Sequence, residues 1–106
     1  MKFFQKTSHE FVELIRSIGI CLSIARQKNL PERVFHLINR LSSSIRRNIP
    51  QASVGYQVCG TTEHIKLIHL KVKIECCNVI AIIARIFKRD KASIPGDLSL
   101  IYVRIC

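Results

Sequence analysis

Lys66-Leu67-Ile68-His69-Leu70-Lys71-Val72-Lys73-Ile74-Glu75-Cys76 is the stretch on which the fold turns. Ile68, Leu70, Val72, Ile74 and Cys76 alternate with His69, Lys71, Lys73 and Glu75, and taken alone this strict period of two describes a half-buried strand. On a helix that continues to Phe87 the same residues give another pattern. Ile65, Ile68, Val72, Cys76, Val79, Ile83 and Ile86 then form one continuous apolar seam, and Leu67, Leu70, Ile74, Cys77, Ala81 and Ala84 form a second on the opposite side. Lys66, His69 and Lys73 occupy one gap between the seams; Lys71, Glu75 and Asn78 occupy the other. Nothing between Thr61 and Arg89 breaks a helix, and a lone strand at 66–76 lacks evident partners, so the helix is favoured over the strand. A helix with two apolar faces is a central one, packed on its own bundle on one side and on another helix or subunit on the other.

The segments on either side also read as helices. Thr7-Ser8-His9-Glu10 fits a capping box, and Phe11, Leu14, Ile15, Ile18, Cys21, Leu22 and Ala25 recur at helical steps, predicting a helix over residues 8–28. Asn29-Leu30-Pro31 stops it, because a proline disfavours helical backbone at the residue before it. Pro31 suits the first turn of a second helix, whose apolar stripe is Val34, Leu37, Ile38, Leu41 and Ile45 and which ends near Asn48, ahead of Pro50. Residues 50–61, with Pro50, Gly55 and Gly60, read as a loop. Pro95-Gly96-Asp97 is a turn with Asp97 as N-cap to a short last helix carrying Leu98, Ile101, Tyr102 and Ile105. The expectation is one domain over residues 1–106, an all-α up-down four-helix bundle with a short, truncated-looking fourth helix, a feature that a decayed reading frame would also leave.

Charge is the main functional clue. Seventeen Lys and Arg stand against seven Asp and Glu, a net +10 that favours a polyanionic partner, nucleic acid ahead of an anionic membrane surface. Arg33, Arg40 and Arg47 fall seven apart and line one strip of the second helix, about a third of a turn from its apolar stripe. With Arg46, and with Lys66 and Lys73 on the third helix, they are the residues expected to contact phosphates without reading bases. Arg85, Lys88, Arg89 and Lys91 form a further cluster, equally explained by cations opposing a helix C-terminal dipole.

Catalytic chemistry finds no support in the sequence. Cys59, His64, His69, Cys76 and Cys77 lack the paired, turn-compatible spacing of a structural zinc site, so no metal or cofactor is expected. No base is evident for a cysteine nucleophile, no glycine-rich phosphate loop occurs, and the few acids suggest no acid–base pair. Cys21, Cys59, Cys76, Cys77 and Cys106 contain no Cys-x-x-Cys and read as small hydrophobes in a reducing compartment. The first apolar run, residues 18–25, follows Glu10, Glu13 and Arg16, and the run at 79–83 is too short to span a bilayer, so a cytoplasmic protein without a membrane partner is expected. A structural or interaction module that docks a partner protein through the second seam of the third helix is the alternative.

Leu30-Pro31, Glu32-Arg33, Phe35 and Leu37, then Leu41, Arg46-Arg47, Ile49-Pro50 and Gly55-Tyr56, then Glu63-His64-Ile65-Lys66-Leu67-Ile68 carry a family likeness. This third of the chain resembles the small four-helix-bundle proteins encoded in ribosomal-RNA intervening sequences, which are related to the accessory variability determinant of diversity-generating retroelements. The chain departs from that pattern at Val54, where the family has an acidic residue, and at Lys71, Lys73 and Ile74, where it has small ones. The resemblance implies an up-down bundle assembling into a ring-like homo-oligomer, best known as a pentamer, without enzymatic activity. It also implies RNA and DNA binding through basic surfaces, as an accessory to a reverse transcriptase or a ribosomal-RNA-associated element.

Overall fold

The computed structural model describes residues 3–6, 9–48 and 58–106. Four helices, α1 (His9–Gln27), α2 (Glu32–Asn48), α3 (Thr62–Arg89) and α4 (Gly96–Ile105), make an all-α four-helix bundle. The alternating stretch 66–76 lies wholly within α3 and is helical. Its first seam, Ile65, Ile68, Val72, Cys76, Val79, Ile83 and Ile86, is buried in full, joined by Ile80 and Phe87. Phe11, Leu14, Cys21, Ile24 and Ala25 of α1 and Val34, Ile38, Leu41 and Ile45 of α2 close over that seam. Burial of one α3 stripe by two neighbours overrides the period-two pattern, because helical backbone satisfies every main-chain group without a strand partner.

The direction of each helix follows from its contacts. Phe11 meets His69 edge to face at 5.4 Å, and further along α1 the Leu14 carbonyl accepts from Cys76 Sγ at 3.9 Å, so α1 and α3 run parallel. Ser44 of α2 reaches Glu75, whereas Arg33 at the start of α2 lies beside Arg85 and Arg89, so α2 is antiparallel to α3. Arg104 near the end of α4 pairs at 3.9 Å with Glu13 near the start of α1, and α4 is antiparallel to both. Among the described residues α2 and α4 do not touch; they flank the α1/α3 pair on opposite sides.

Two helices end in the same backbone motif. The Leu30 amide bonds the Ala25 carbonyl at 3.0 Å, and the Ala92 amide bonds the Phe87 carbonyl at 2.9 Å. Asn29 and Lys91 occupy the left-handed positions these endings require, with φ of 49° and 55°. At the start of α4 the Pro95 carbonyl accepts the Leu98 and Ser99 amides at 3.1 and 3.3 Å. The helix therefore begins earlier than the sequence suggested: Pro95 is its N-cap, and Asp97 lies inside the first turn, where its charge favours the helix dipole. Tyr102 is exposed rather than packed; Leu98, Ile101 and Ile105 are the buried face.

Two further corrections concern long-range pairing. Val58–Thr61, read as loop, is a strand paired antiparallel with Phe3–Lys6, in register Phe3 to Thr61 and Lys6 to Val58. Such a short ribbon depends on a partner far away in sequence and leaves no local signature; it abuts α3 without changing the class. Cys77 and Cys106, expected as unpaired small hydrophobes, form a disulfide with Cα atoms 6.0 Å apart. The antiparallel course of α4 brings its end level with Cys77, a proximity that the sequence separation of 29 hides. Cys21 and Cys76 are buried free thiols as expected. The Thr7–Glu10 capping box and the side chain of Cys59 lie outside the described residues.

The second seam of α3 is covered along half its length. Cys77, Ala81 and Ala84 are half-buried, with Cys77 tied to the end of α4 and Ala84 lining one recess with Leu98 and Tyr102. Leu67, Leu70 and Ile74 lie beyond the reach of α4 and are 65%, 51% and 51% exposed. No helix among the described residues is long and apolar enough to cross a membrane.

Candidate nucleic-acid interface

Arg33, Leu37, Arg40, Ser44 and Arg47 follow one another along α2 at steps of four and three, which places them in a single line on the helix. Lys71, Glu75, Asn78, Ile82, Arg85 and Arg89 do the same along α3. The antiparallel packing sets these two lines side by side. A recess of about 360 Å³ is lined by Arg33, Leu37, Ile82, Arg85, Ile86 and Arg89. A second, of about 340 Å³, is lined among others by Arg40, Ser44, Arg47, Lys71, Glu75 and Asn78. Leu37 and Ile82 line both, so the two are one groove with an apolar floor.

Six cations line this groove, Arg33, Arg40, Arg47, Lys71, Arg85 and Arg89, and all are exposed. Glu75 is the one carboxylate among its lining residues, and the Ser44 hydroxyl donates to it at 3.4 Å. From Arg33 to Arg47 the groove runs about 21 Å at 1.5 Å per residue. Arg40 and Arg47 on one bank and Lys71 on the other make a track of positive charge that suits a phosphate backbone, which such groups bind with little regard to sequence.

The residues expected from sequence to bind phosphate are divided by the fold. Arg33, Arg40 and Arg47 are in the groove together. Arg46 is exposed but is rotated by about 100° from Arg47, away from the groove. Lys66 and Lys73 occupy the other gap of α3, and Lys73, two positions from Lys71, is turned from it by about 200°. Lys71 is the groove cation the sequence reading left out, while Arg85 and Arg89 belong to the cluster that reading found equally explained by helix capping. Their signal was present in the three- and four-residue steps from Lys71 to Arg89. Helix-dipole compensation accounts for Lys88 and Arg89 in the last turn of α3 but does not extend to Arg85.

The remaining reactive side chains serve packing. Burial pushes the Cys21 thiol up to about 12, with the neighbouring Cys76 adding to it. Burial likewise raises Cys76 to about 11, although a Ser17 hydrogen bond opposes the shift. Both are therefore protonated at neutral pH, and a thiol is a poor nucleophile and metal ligand. Ser17 Oγ donates to the Leu14 carbonyl at 2.6 Å, which satisfies a polar group at the α1/α3 contact. His69 packs on Phe11, and among the described residues no three His, Cys, Asp or Glu side chains converge as a metal site would need. Comparison with known proteins adds no relative: no family model, curated protein or solved structure matches the chain.

Proposed function

We propose that this chain is a non-enzymatic nucleic-acid-binding protein that grips the phosphate backbone of RNA or DNA in the α2/α3 groove. The observation that carries the reading is the convergence of Arg33, Arg40, Arg47, Lys71, Arg85 and Arg89 from two helices on one apolar-floored channel. The resemblance of residues 30–68 to intervening-sequence and retroelement bundle proteins supports an accessory role beside a reverse transcriptase or a ribosomal-RNA-associated element. It also supports a homo-oligomer, for which Leu67, Leu70 and Ile74 supply an uncovered apolar contact. The same patch favours a second reading, a module that docks a partner protein through α3. A cytoplasmic site of action fits a nucleic-acid partner. There the thiol buffer keeps disulfides reduced, and α4 would be retained, less firmly, by Leu98, Ile101 and Ile105.

The test is anisotropy of labelled RNA and DNA between 50 and 200 mM salt. Affinity should fall with a log–log slope of about −4 to −5 if all six groove cations engage phosphates. Joint replacement of Arg40, Arg47 and Lys71 by Gln should weaken binding at least about tenfold, whereas Arg46, Lys66 and Lys73 replaced together should cost much less. Absent binding at low salt, or binding indifferent to salt, rules the proposal out. A protein that stays monomeric, binds no nucleic acid and forms a salt-indifferent complex with another protein that is lost in Leu70→Glu would favour the docking module.

A further inference from the structure

The two halves of the groove differ in chemistry. In the inner half Arg40, Arg47 and Lys71 are interrupted by Glu75, Ser44 and Asn78. The outer half has three arginines and no other polar residue: Arg33, Arg85 and Arg89 stand around Leu37, Ile82 and Ile86. That half is also an end, since Arg33 lies in the first turn of α2 and Arg89 is the last residue of α3.

Arg89 opposes the dipole at the end of α3, but the bundle gains little from Arg33 and Arg85. Arg85 and Arg89 are like charges four residues apart on one helix, which repel. Arg33 sits at a helix start, where the dipole disfavours a cation. Arg89 has Asp90 at 3.4 Å, an exposed pair of small worth, and among the described residues no carboxylate pairs with Arg33 or Arg85. An anion held among the three guanidinium groups would relieve all of these penalties.

We propose that the Arg33–Arg85–Arg89 recess is an end-recognition subsite, which binds the terminal phosphate monoester of the strand lying in the groove. The inference rests on the nucleic-acid reading above and adds which part of the strand is recognised. A monoester carries about −1.5 to −2 charges near neutral pH against one for an internal diester, and it offers three oxygens to planar, bidentate donors. Arginine forks from two helices surround such a group better than they surround a diester, which is blocked by ester links on two sides. The recess of about 360 Å³ lies within the range of small-molecule sites, which begins at about 300 Å³, and so has room for a terminal nucleotide. Leu37, Ile82 and Ile86 supply an apolar floor for the sugar or base, and Glu75 repels a monoester from the inner half.

The experiment compares one single-stranded oligonucleotide in 5′-phosphorylated, 3′-phosphorylated and unphosphorylated forms, with a nucleoside monophosphate as a separate probe. One phosphorylated end should bind the wild-type protein about tenfold more tightly than the bare strand at fixed salt. In Arg33→Gln/Arg85→Gln that preference should disappear while most affinity for the bare strand remains. In Arg40→Gln/Arg47→Gln both forms should weaken together and the preference should persist. All four residues are exposed, and circular dichroism will report whether each variant keeps its helices. Salt-dependent binding that is equal for all three oligonucleotides overturns end recognition but leaves the groove reading intact. Binding of the monophosphate alone, with no oligonucleotide bound, overturns both and assigns the recess to a free nucleotide.

Discussion

The two flanks of α3 outside the core meet opposite fates. One flank, Lys71 to Arg89, is charged and faces α2 across an open groove; the other, Leu67 to Ala84, is apolar and is covered by α4 only from Cys77 onward. Both arise from the same run of residues, and 3.6 residues per turn separates them cleanly where a strand would have mixed them. The difference teaches that exposure has a separate meaning on each flank. Solvated cations beside an apolar floor are stable in water and available to an anion. Leu67, Leu70 and Ile74 are stable in water only because they are few, and a patch of that kind marks a place for another surface.

The sharpest way to break this contrast is to place one charge on each side of α3. Ile83 is fully buried, and Ile83→Asp would put a carboxylate among apolar side chains with no partner. Its expected cost exceeds about 4 kcal/mol, enough to abolish cooperative unfolding in a small bundle. In the lone protomer Leu70→Asp, on the exposed seam, should change stability by no more than about 0.5 kcal/mol. Urea titration followed by helical circular dichroism measures both. A large loss for Leu70→Asp would show that the seam is covered in solution by a second surface.

Legibility divides along the same lines. The bundle and the buried seam of α3 were readable because amphipathic periodicity is local and seven successive seam positions agreed. The α2 half of the groove was readable too, since Arg33, Arg40 and Arg47 repeat every seven residues. The α3 half was not, because choosing between Lys71 and Lys73 requires knowing which gap faces α2. Sequence spacing gives the angle between two residues and not the identity of the neighbour. The ribbon of Phe3–Lys6 with Val58–Thr61 and the Cys77–Cys106 bridge are hidden for a related reason, each joining segments that only the assembled bundle brings together.

A smaller expected effect comes from the covered half of the apolar flank. Helix α4 has ten residues, too few to persist alone, and is retained by Leu98, Ile101 and Ile105 and by the bridge. Under oxidising conditions Cys106→Ser should lower stability by about 3.5 kcal/mol, the chain-entropy value for a sequence separation of 29. Amides of α4 should then exchange faster while those of α2 and α3 change little, which hydrogen exchange resolves residue by residue. Equal protection of α4 in both proteins would mean that apolar packing alone holds it, and that half of the flank would then be covered regardless of redox state.

The smallest effect lies where α3 ends, at the mouth of the groove. Lys91 holds φ at 55° to close α3, and Asn29 holds 49° to close α1. The left-handed region costs an ordinary side chain about 1 kcal/mol, whereas asparagine enters it more readily. Lys91→Gly should therefore stabilise the bundle, by about 0.5 kcal/mol once the glycine's greater freedom in the unfolded chain is counted. Asn29→Gly should gain less. Lysine at this end also opposes the dipole of α3, a contribution of about 0.3–1 kcal/mol at low salt that the glycine loses. Raising the salt screens that charge and leaves the backbone preference untouched. The gain from Lys91→Gly should accordingly grow between 20 and 500 mM salt in urea titrations, and a gain that shrinks would show that the backbone strain at Lys91 is not the controlling factor.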